Sequence, residues 1–493
     1  MTPRRAAGRR AVRAGSPTAG GAFGWSLANT MISKLGTLGI GIVLARVLGP
    51  EQFGTFAIAL VALMAVLSFN ELGVSLAIVR WREHPSSIVP TVNTISVMAS
   101  TLFCAAAWYA APTFTRLMGD EGATLVVRLL ILSVLVNGVV AAPAALLQRN
   151  FQERQRLVID QVNVWAGAGI SVALALLGMG AMALAIGRLA GSAISAVMFL
   201  RASPEPYRWG WRQDKAAALL KFGLPLAGTS IIVFCIGYSD QLIAGALLGA
   251  TALGYYVLAF NLSSWPVSIV SQPLRRVAPA AFAAIQDNPA HLRSSILALF
   301  SVLACVTVPV FVVMAAAAAP LVRIVYGEVW LPSAPVMSWL VVSALSKVLC
   351  ELAYDYIVVI GKTSEVFKIQ VIGLIVLIPA LAAGALLGGL VGLALAQAMV
   401  AFLVMLPLYL LSLRAAGLQL GTMIRRLAMP LASGAVVGAV SLFVVQRITN
   451  PWLALLAAGC IGLVAMAGLV YLRKNDVVHV RGLAGAGAKE TVK

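Results

Sequence analysis

About fourteen apolar stretches, each close to twenty residues long, fill this chain from near residue 24 to residue 472. A helix crossing a hydrocarbon slab about 30 Å thick needs roughly 20 such residues. Hydrophobic residues make up 61% of the chain and charged residues only 11%. No polar stretch is long enough to fold as a soluble domain. The chain therefore reads as an all-α polytopic membrane protein, and whatever it does must be done inside a helix bundle.

The apolar runs begin near residues 24, 53, 88, 123, 158, 180, 219, 252, 294, 333, 366, 389, 427 and 452. Leu177-Gly178-Met179-Gly180 divides the fifth from the sixth, and Gly388-Gly389 divides the eleventh from the twelfth. Alternate gaps between the runs differ sharply in charge. With the amino terminus inside, the inside segments carry Arg4, Arg5, Arg9, Arg10, Arg13, Arg80, Arg82, Arg149, Arg154, Arg156, Arg201, Arg208, Arg212, Lys215 and Lys221. They continue with Arg275, Arg276, Arg293, Lys362, Lys368, Arg414, Arg425, Arg426, Arg473, Lys474, Arg481, Lys489 and Lys493, giving 28 of the 36 basic residues. The outside segments carry five, Arg46, Arg116, Arg128, Arg323 and Arg447, while Lys34, Arg188 and Lys347 fall within runs. Lys and Arg accumulate in cytoplasmic loops. The split thus predicts fourteen spans with both termini inside, because a miscounted span would scramble the alternation beyond it.

The same placement disposes of other classes. A formal charge of +19 could suggest nucleic acid, but the charges sit between spans, so no nucleic-acid partner is expected. Cys104, Cys235, Cys305, Cys350 and Cys460 all lie in apolar runs without CxxC spacing, which reads as packing rather than disulfide chemistry. His84, His291 and His479 sit in separate polar segments, so neither a metal site nor any cofactor is expected. The basic, Gly- and Ala-rich start of the chain lacks the apolar core of a signal peptide. It reads as a disordered cytoplasmic tail, as does the stretch from Arg473 to Lys493.

An internal repeat is also present. LGPEQFGTFAIAL (48–60) aligns with LGATALGYYVLAF (248–260) at a constant offset of 200 residues, with Leu48/Leu248, Gly49/Gly249, Gly54/Gly254 and Ala59/Ala259 identical. Each copy joins the first and second helix of a six-helix block, and both blocks start inside. Two parallel six-helix halves suggest a transporter with its path between them.

Beyond the repeat, SLANTMISKLGTLGIGIVLARVLGPEQFGTFAIAL followed by FNELG resembles the opening of Wzx-type polysaccharide flippases of the multidrug/oligosaccharidyl-lipid/polysaccharide (MOP) exporter superfamily. APAAFAAIQDNPAHLR (278–293) and IVYGEVW (324–330) resemble the colanic-acid and teichuronic-acid exporter subgroup. The resemblance spans about residues 22–420 and extends more loosely to 472. It implies two six-helix lobes around a central cavity plus two C-terminal helices. The implied substrate is a polyprenyl-pyrophosphate-linked glycan, turned from the inner to the outer leaflet by alternating access coupled to an ion gradient or membrane potential. The implied division is a tail at 1–21, an N-lobe at 22–202, a linker at 203–216, a C-lobe at 217–414, two further helices at 415–472, and a tail at 473–493. Partners would be the lipid-linked glycan, membrane lipid, and polysaccharide polymerase and export machinery.

A charge in the hydrocarbon core costs several kcal/mol and marks a functional candidate. Lys34 lies about ten residues into the first span, roughly 15 Å deep at 1.5 Å per residue. It can meet a pyrophosphate there or pair with a carboxylate from another helix. Arg46, in LAR-V-LG, matches a position where the family often has Arg. It is either a ligand to the substrate or an interfacial anchor. Arg80 can meet the headgroup or simply anchor the inner end of span two. Glu71, in Asn70-Glu71-Leu72-Gly73, and Asp240, beside Tyr238 and Gln241, stand at acidic positions of the family. Each can bind a coupling cation or neutralise a buried base. Lys347, Glu351 and Asp355 follow one another at i, i+4 and i+8, sharing a helical face. Lys347 and Glu351 can pair along the helix or form a cation switch with substrate phosphate. Tyr255, Tyr256, Trp265 and Trp339 can stack on sugars or sit in interfacial belts. Asn29, Asn163 and Asn261 can bind sugars or other helices.

Two other functions compete. A drug or cation exporter of the same superfamily would favour carboxylates in the cavity over Lys34 and Arg46. A membrane polymerase or ligase would carry a long outer loop with catalytic Arg or His. The outer loops here are short and all three His lie on the inner side, so the chain is not expected to be an enzyme.

Overall fold

The computed structural model describes the backbone of residues 19–68, 70, 73–81, 84–285 and 288–480. The side chains of 19–35, 37–38, 269–281, 283–284 and 289 lie outside the description. Lys34 is therefore placed on a helix without its side chain, and Glu71 lies outside the described residues, past the helix that ends at Leu67.

Among the described residues eleven helical stretches are long and apolar enough to cross a membrane. Three of them are broken by glycine: Gly49 (φ 71°, ψ 174°), Gly249 (φ 85°, ψ 176°), and Gly389 (φ 59°, ψ −143°) after Gly388. L-residues with a side chain rarely adopt these angles, so each break ends one span and starts the next. Counting both sides of each break gives fourteen helices. These are α1 (19–48), α2 (50–67), α3 (Val89–Leu117), α4 (Thr124–Arg149), α5 (Glu153–Leu176), α6 (Ala181–Ala202), α7 (213–248) and α8 (250–284). The rest are α9 (Pro289–Ala316), α10 (Ser333–Val359), α11 (363–387), α12 (390–415), α13 (Leu420–Arg447) and α14 (Pro451–Leu472). The largest offset from the sequence expectation is at α13, expected near 427 and found at Leu420. There Arg425 and Arg426 lengthen the helix beyond its apolar run, as long basic side chains at a membrane surface allow.

Among the described residues, one set of helix ends bears Arg80, Arg149, Arg201, Arg293, Arg414 and Arg426 and forms the basic face, while the other bears Arg46, Arg116, Arg128, Arg323 and Arg447 and forms the charge-poor face. Two short helices lie at these faces. Ser75–Arg80 stands at the basic face, its last carbonyls accepting from Nη1 of Arg149 (Ile78 O, 2.5 Å; Trp81 O, 2.8 Å). Ala318–Val325 stands at the charge-poor face.

Lipid tails are as apolar as leucine, so helices associate through close packing of small residues. Gly187 and Gly191 of α6 press on Gly167 of α5, with no room for a Cβ. The largest core runs through α2, α4, α8, α9 and α10 and includes Tyr256, Phe300 and Phe311. A smaller one seats the start of α7, through Ala216 and Leu219, on Val74, Ala77 and Ile78. The last two helices join the second half through α9: Gly434 and Gly438 of α13 abut Val308 and Val312, and Gly462 of α14 abuts Val313. Leu102, Leu387, Phe443 and Val464 face outward, as lipid-contacting residues do.

The carboxy-terminal stretch differs from expectation. Instead of a disordered tail from Arg473, residues 474–480 are helical. Asp476 pairs with Arg426 of α13 at 3.0 Å, and Nε2 of His479 lies 3.2 Å from the Ser295 hydroxyl of α9. Similarly, helix α1 begins at Ala19, inside the stretch expected to be tail. At the carboxy-terminal end, the Asp476–Arg426 ion pair and the His479–Ser295 hydrogen bond hold residues that composition alone reads as solvated.

Gly249→Ala is expected to lower stability by about 1–3 kcal/mol, the cost of forcing a side chain into such a conformation. Gly459→Ala, at an open helical position, is the control. Thermal melting of the purified protein compares them, and equal midpoints would show that the α7–α8 break does not require glycine.

Candidate functional site

The two copies of the repeat meet at the charge-poor face. A Cβ on Gly54 of α2 would run into the Ala250 carbonyl of α8, and one on Gly254 into the Pro50 carbonyl. Only glycine lets these backbones cross so closely. Above the crossing sits Trp330, buried at 1% exposure. Its indole N–H donates to the Ala45 carbonyl of α1 at 3.1 Å. The rings of Phe53 and Tyr255 meet it edge-on at 5.6 and 5.8 Å. Arg46 donates from Nε to the Val325 carbonyl (2.9 Å) and from Nη2 to the Ile324 carbonyl (2.5 Å). Its guanidinium thus satisfies carbonyls at the end of the short helix Ala318–Val325, where a cation is also favoured by the helix dipole. The segment IVYGEVW closes the charge-poor end by tying the second half to the first.

A cavity of about 410 Å³ lies in the second half, between α7, α10, α11 and α12. Lys347 and Glu351 both line it. An ion pair between them, one of the two readings of this spacing, does not form: Lys347 makes no hydrogen bond or ion pair with a described residue, and Oε2 of Glu351 is buried without a hydrogen-bond partner among them. Lys preceding Glu at i, i+4 is the weaker order on a helix, and both side chains turn to the cavity instead. Asp355 is buried and does not line it, so the three-residue stripe is cut to two. α12 contains a π-turn at Ala401–Met405, and the Ser346 hydroxyl of α10 donates to the Ala401 carbonyl at 2.7 Å. Such turns recur at functional sites.

Behind the cavity Asp240 is buried. The Tyr256 hydroxyl lies 2.8 Å from Oδ2 of Asp240 and 2.6 Å from Oε1 of Gln397, and the charge of Lys347 acts on Asp240 as well. A tyrosine has one proton to donate. Both contacts are satisfied if a protonated Asp240 donates to the tyrosine, or if the Gln397 amide is turned to donate. Sequence reasoning named Asp240 and Tyr256 separately but missed Gln397, which lies 141 positions from Tyr256 and carries no motif.

The remaining candidates are dispersed. Arg80 ends its short helix at the basic face, exposed. Arg188 of α6 is exposed within the bundle and in electrostatic reach of Tyr238 on α7, a partner from the other half that its sequence context did not suggest. Lys34 and Glu71 cannot be placed in either cluster, for the reason given above. A second cavity of about 410 Å³, toward the basic face, is lined by α2, α4, α5 and α7.

Comparison with known proteins follows the same lines. Residues 43–335 match the family described as polysaccharide biosynthesis protein. The chain is 25% identical over 374 residues, 75% of each chain, to the lipopolysaccharide biosynthesis protein WzxC of Escherichia coli K12. It is 26% identical over 375 residues, covering 75% of this chain and 74% of the other, to the succinoglycan biosynthesis transport protein ExoT of Rhizobium meliloti. In fold it matches the lipid II flippase MurJ in an inward closed conformation, with a TM-score of 0.76 at 14% identity over 92% of this chain and 99% of that one. It also matches an inward-facing multidrug resistance MATE family transporter of the MOP superfamily, with a TM-score of 0.60 at 16% identity over 78% and 95%. The all-α fold of two parallel six-helix lobes with two further helices is the one the sequence implied.

Gly54→Val is expected to force the charge-poor ends apart. The check is labelling of Thr55→Cys by a membrane-impermeant maleimide in the Gly54 and Gly54→Val backgrounds. A several-fold rise in labelling rate is expected in the valine background, and an unchanged rate would show that the crossing is not what seals this face.

Proposed function

The chain belongs to the polysaccharide biosynthesis protein family, and from that premise we propose that it is a flippase for polyprenyl-pyrophosphate-linked oligosaccharide repeat units. It carries them from the inner to the outer leaflet for surface or exopolysaccharide assembly, without catalysis. The basic face is cytoplasmic, and the protein resides in the bacterial inner membrane with both termini inside. The observation that carries this reading is Lys347, an ammonium held in the bundle with no ion-pair partner among the described residues. A charge without a direct ion-pair partner at membrane depth costs about 2.5–3.5 kcal/mol even on the lenient insertion scale, and an anionic headgroup arriving in the cavity offsets that cost at closer range than Asp240 does. The names of WzxC and ExoT, which speak of lipopolysaccharide and succinoglycan, support the choice of a glycan substrate. Lys34 and Arg80 add positive charge along the route. Arg46 holds the outer closure and releases the Ile324 and Val325 carbonyls when the lobes rock.

Asp240 couples transport to the ion gradient by taking up a proton. Protonated, it donates to Tyr256, which in turn donates to Gln397; ionised, it draws on Lys347. Glu351 shares the cavity and tunes that exchange. A second reading, export of small cations, is favoured by the orphan Glu351 oxygen and by the MATE-like fold. It requires the carboxylates rather than Lys347 to be essential.

A strain lacking this gene is expected to accumulate polyprenyl-pyrophosphate-linked repeat units and lose surface polymer, both read by mass spectrometry. Wild type restores them and Lys347→Ala does not. Normal lipid intermediates in the deletion strain would move the reading to cation export. In proteoliposomes, Asp240→Asn is expected to slow flipping at least tenfold and to abolish its response to an imposed proton gradient. A retained response would place coupling elsewhere.

A further inference from the structure

Arg156 counts in the sequence only as one basic residue among 28, yet the structure puts it in a cavity. The cavity at the basic end is walled by α4 along one face, through Asn137, Ala141, Ala144 and Gln148, a spacing of 4, 3 and 4 residues that keeps one helix face inward. Asn137 to Gln148 spans roughly 16 Å at 1.5 Å per residue. α5 supplies Arg156, and α7, from the other half, supplies Ser230. Arg156 is the one charged side chain among the described residues lining the cavity. Its Nη1 donates to Oε1 of Gln148 at 3.1 Å. Asp160, one turn along α5, acts on it electrostatically without a direct ion pair, and the other guanidinium donors make no hydrogen bond with described residues. At the far end Asn137 stands in mid-helix, and its amide makes no hydrogen bond with any described residue. Between the two ends the α4 wall is Val140 and three alanines, Ala141, Ala144 and Ala145, small side chains that leave width for a ligand.

A cation fixed at one end, an unengaged amide at the other and a smooth track between them fit a ligand that is anionic at one end and hydroxyl-rich at the other. We propose that this cavity is the loading seat for the glycan diphosphate on the cytoplasmic side, with Arg156 binding the diphosphate and Asn137 the sugar. This rests on the flippase reading and adds to it a site apart from the Lys347 cavity. Gln148 is a positioning residue that aims the guanidinium. Because Ser230 belongs to the opposite half, movement of the lobes dismantles the seat and releases the headgroup.

The test is native mass spectrometry of the full-length protein in nanodiscs with three probes: undecaprenyl diphosphate, undecaprenyl diphosphate bearing one N-acetylglucosamine, and inorganic diphosphate. Arg156→Gln is expected to weaken both lipid probes at least tenfold. Asn137→Leu is expected to leave the bare lipid diphosphate within twofold of wild type and to remove the added affinity that the sugar confers. Gln148→Leu should weaken both lipid probes less than Arg156→Gln does. Thermal melting of each variant separates lost binding from lost folding. Wild-type affinity in a well-folded Arg156→Gln overturns the seat while leaving the flippase reading intact. Failure of the wild type to bind either lipid probe, together with no flipping in proteoliposomes, overturns both. Competition by inorganic diphosphate at micromolar concentration would assign the site to a free anion instead of a lipid headgroup and overturn the seat alone.

Discussion

The structure depends on how closely two backbones can approach at the charge-poor face. In lipid no hydrophobic gain draws one helix to another, so contact area and proximity decide which helices touch. Gly54 and Gly254 give α2 and α8 a crossing that any side chain would block. Once the helices are that close, the indole of Trp330 reaches the Ala45 carbonyl and the Arg46 guanidinium reaches the end of the neighbouring short helix. The Trp330 contact is buried, so the Ala45 carbonyl would be left unsatisfied if the crossing loosened, and Arg46, at the exposed rim, would lose its two carbonyl partners at the same time. The closure is cooperative for that reason.

A consequence is that the space between the halves is divided unevenly. At the charge-poor end a depression of about 620 Å³, lined by Gln52, Thr55, Asp120 and Thr251, lies beside the close backbone crossing, and alanine and serine leave room toward the basic end. The second half adds a polar cavity of its own, bounded by α10 and α12. Charge inside the bundle thus lies in separate places, with Lys347 in one half and Arg156 at the mouth of the other. A flexible, elongated anion can be handed between such places without ever facing bare hydrocarbon.

Much of the fold was legible in the chain because bilayer thickness fixes the length of every span, and because basic residues alternate between faces without a break in phase. Gly178, Gly180 and Gly389 marked turns for the same reason they form them, a positive-φ backbone conformation that residues with a side chain rarely adopt. The site was less legible. Periodicity put Lys347, Glu351 and Asp355 on one face, but a face is wider than a cavity, and Asp355 is buried off it. The i, i+4 spacing offered a pair that side-chain order and the open cavity disfavour. Arg46 looked as much like a ligand as an anchor, since the carbonyls it satisfies lie 278 and 279 positions away. Asn137 sits in a run of valine and leucine with no spacing to announce it. Tertiary proximity, not pattern, selects these residues.

The π-turn in α12 carries a different lesson. Gln397 and Tyr409 both face the cavity, although twelve residues of regular helix at 3.6 per turn would set them about 120° apart. The extra residue accommodated at 401–405 takes up that rotation and brings them to within about 20° of one another. The chemistry that α12 presents is therefore governed by a residue count as much as by residue identity. Point substitution would sample only part of its variation. Loss or gain of a single residue in that turn would swing half of the helix to a new face at one stroke, a route by which relatives of similar length could come to handle different sugars.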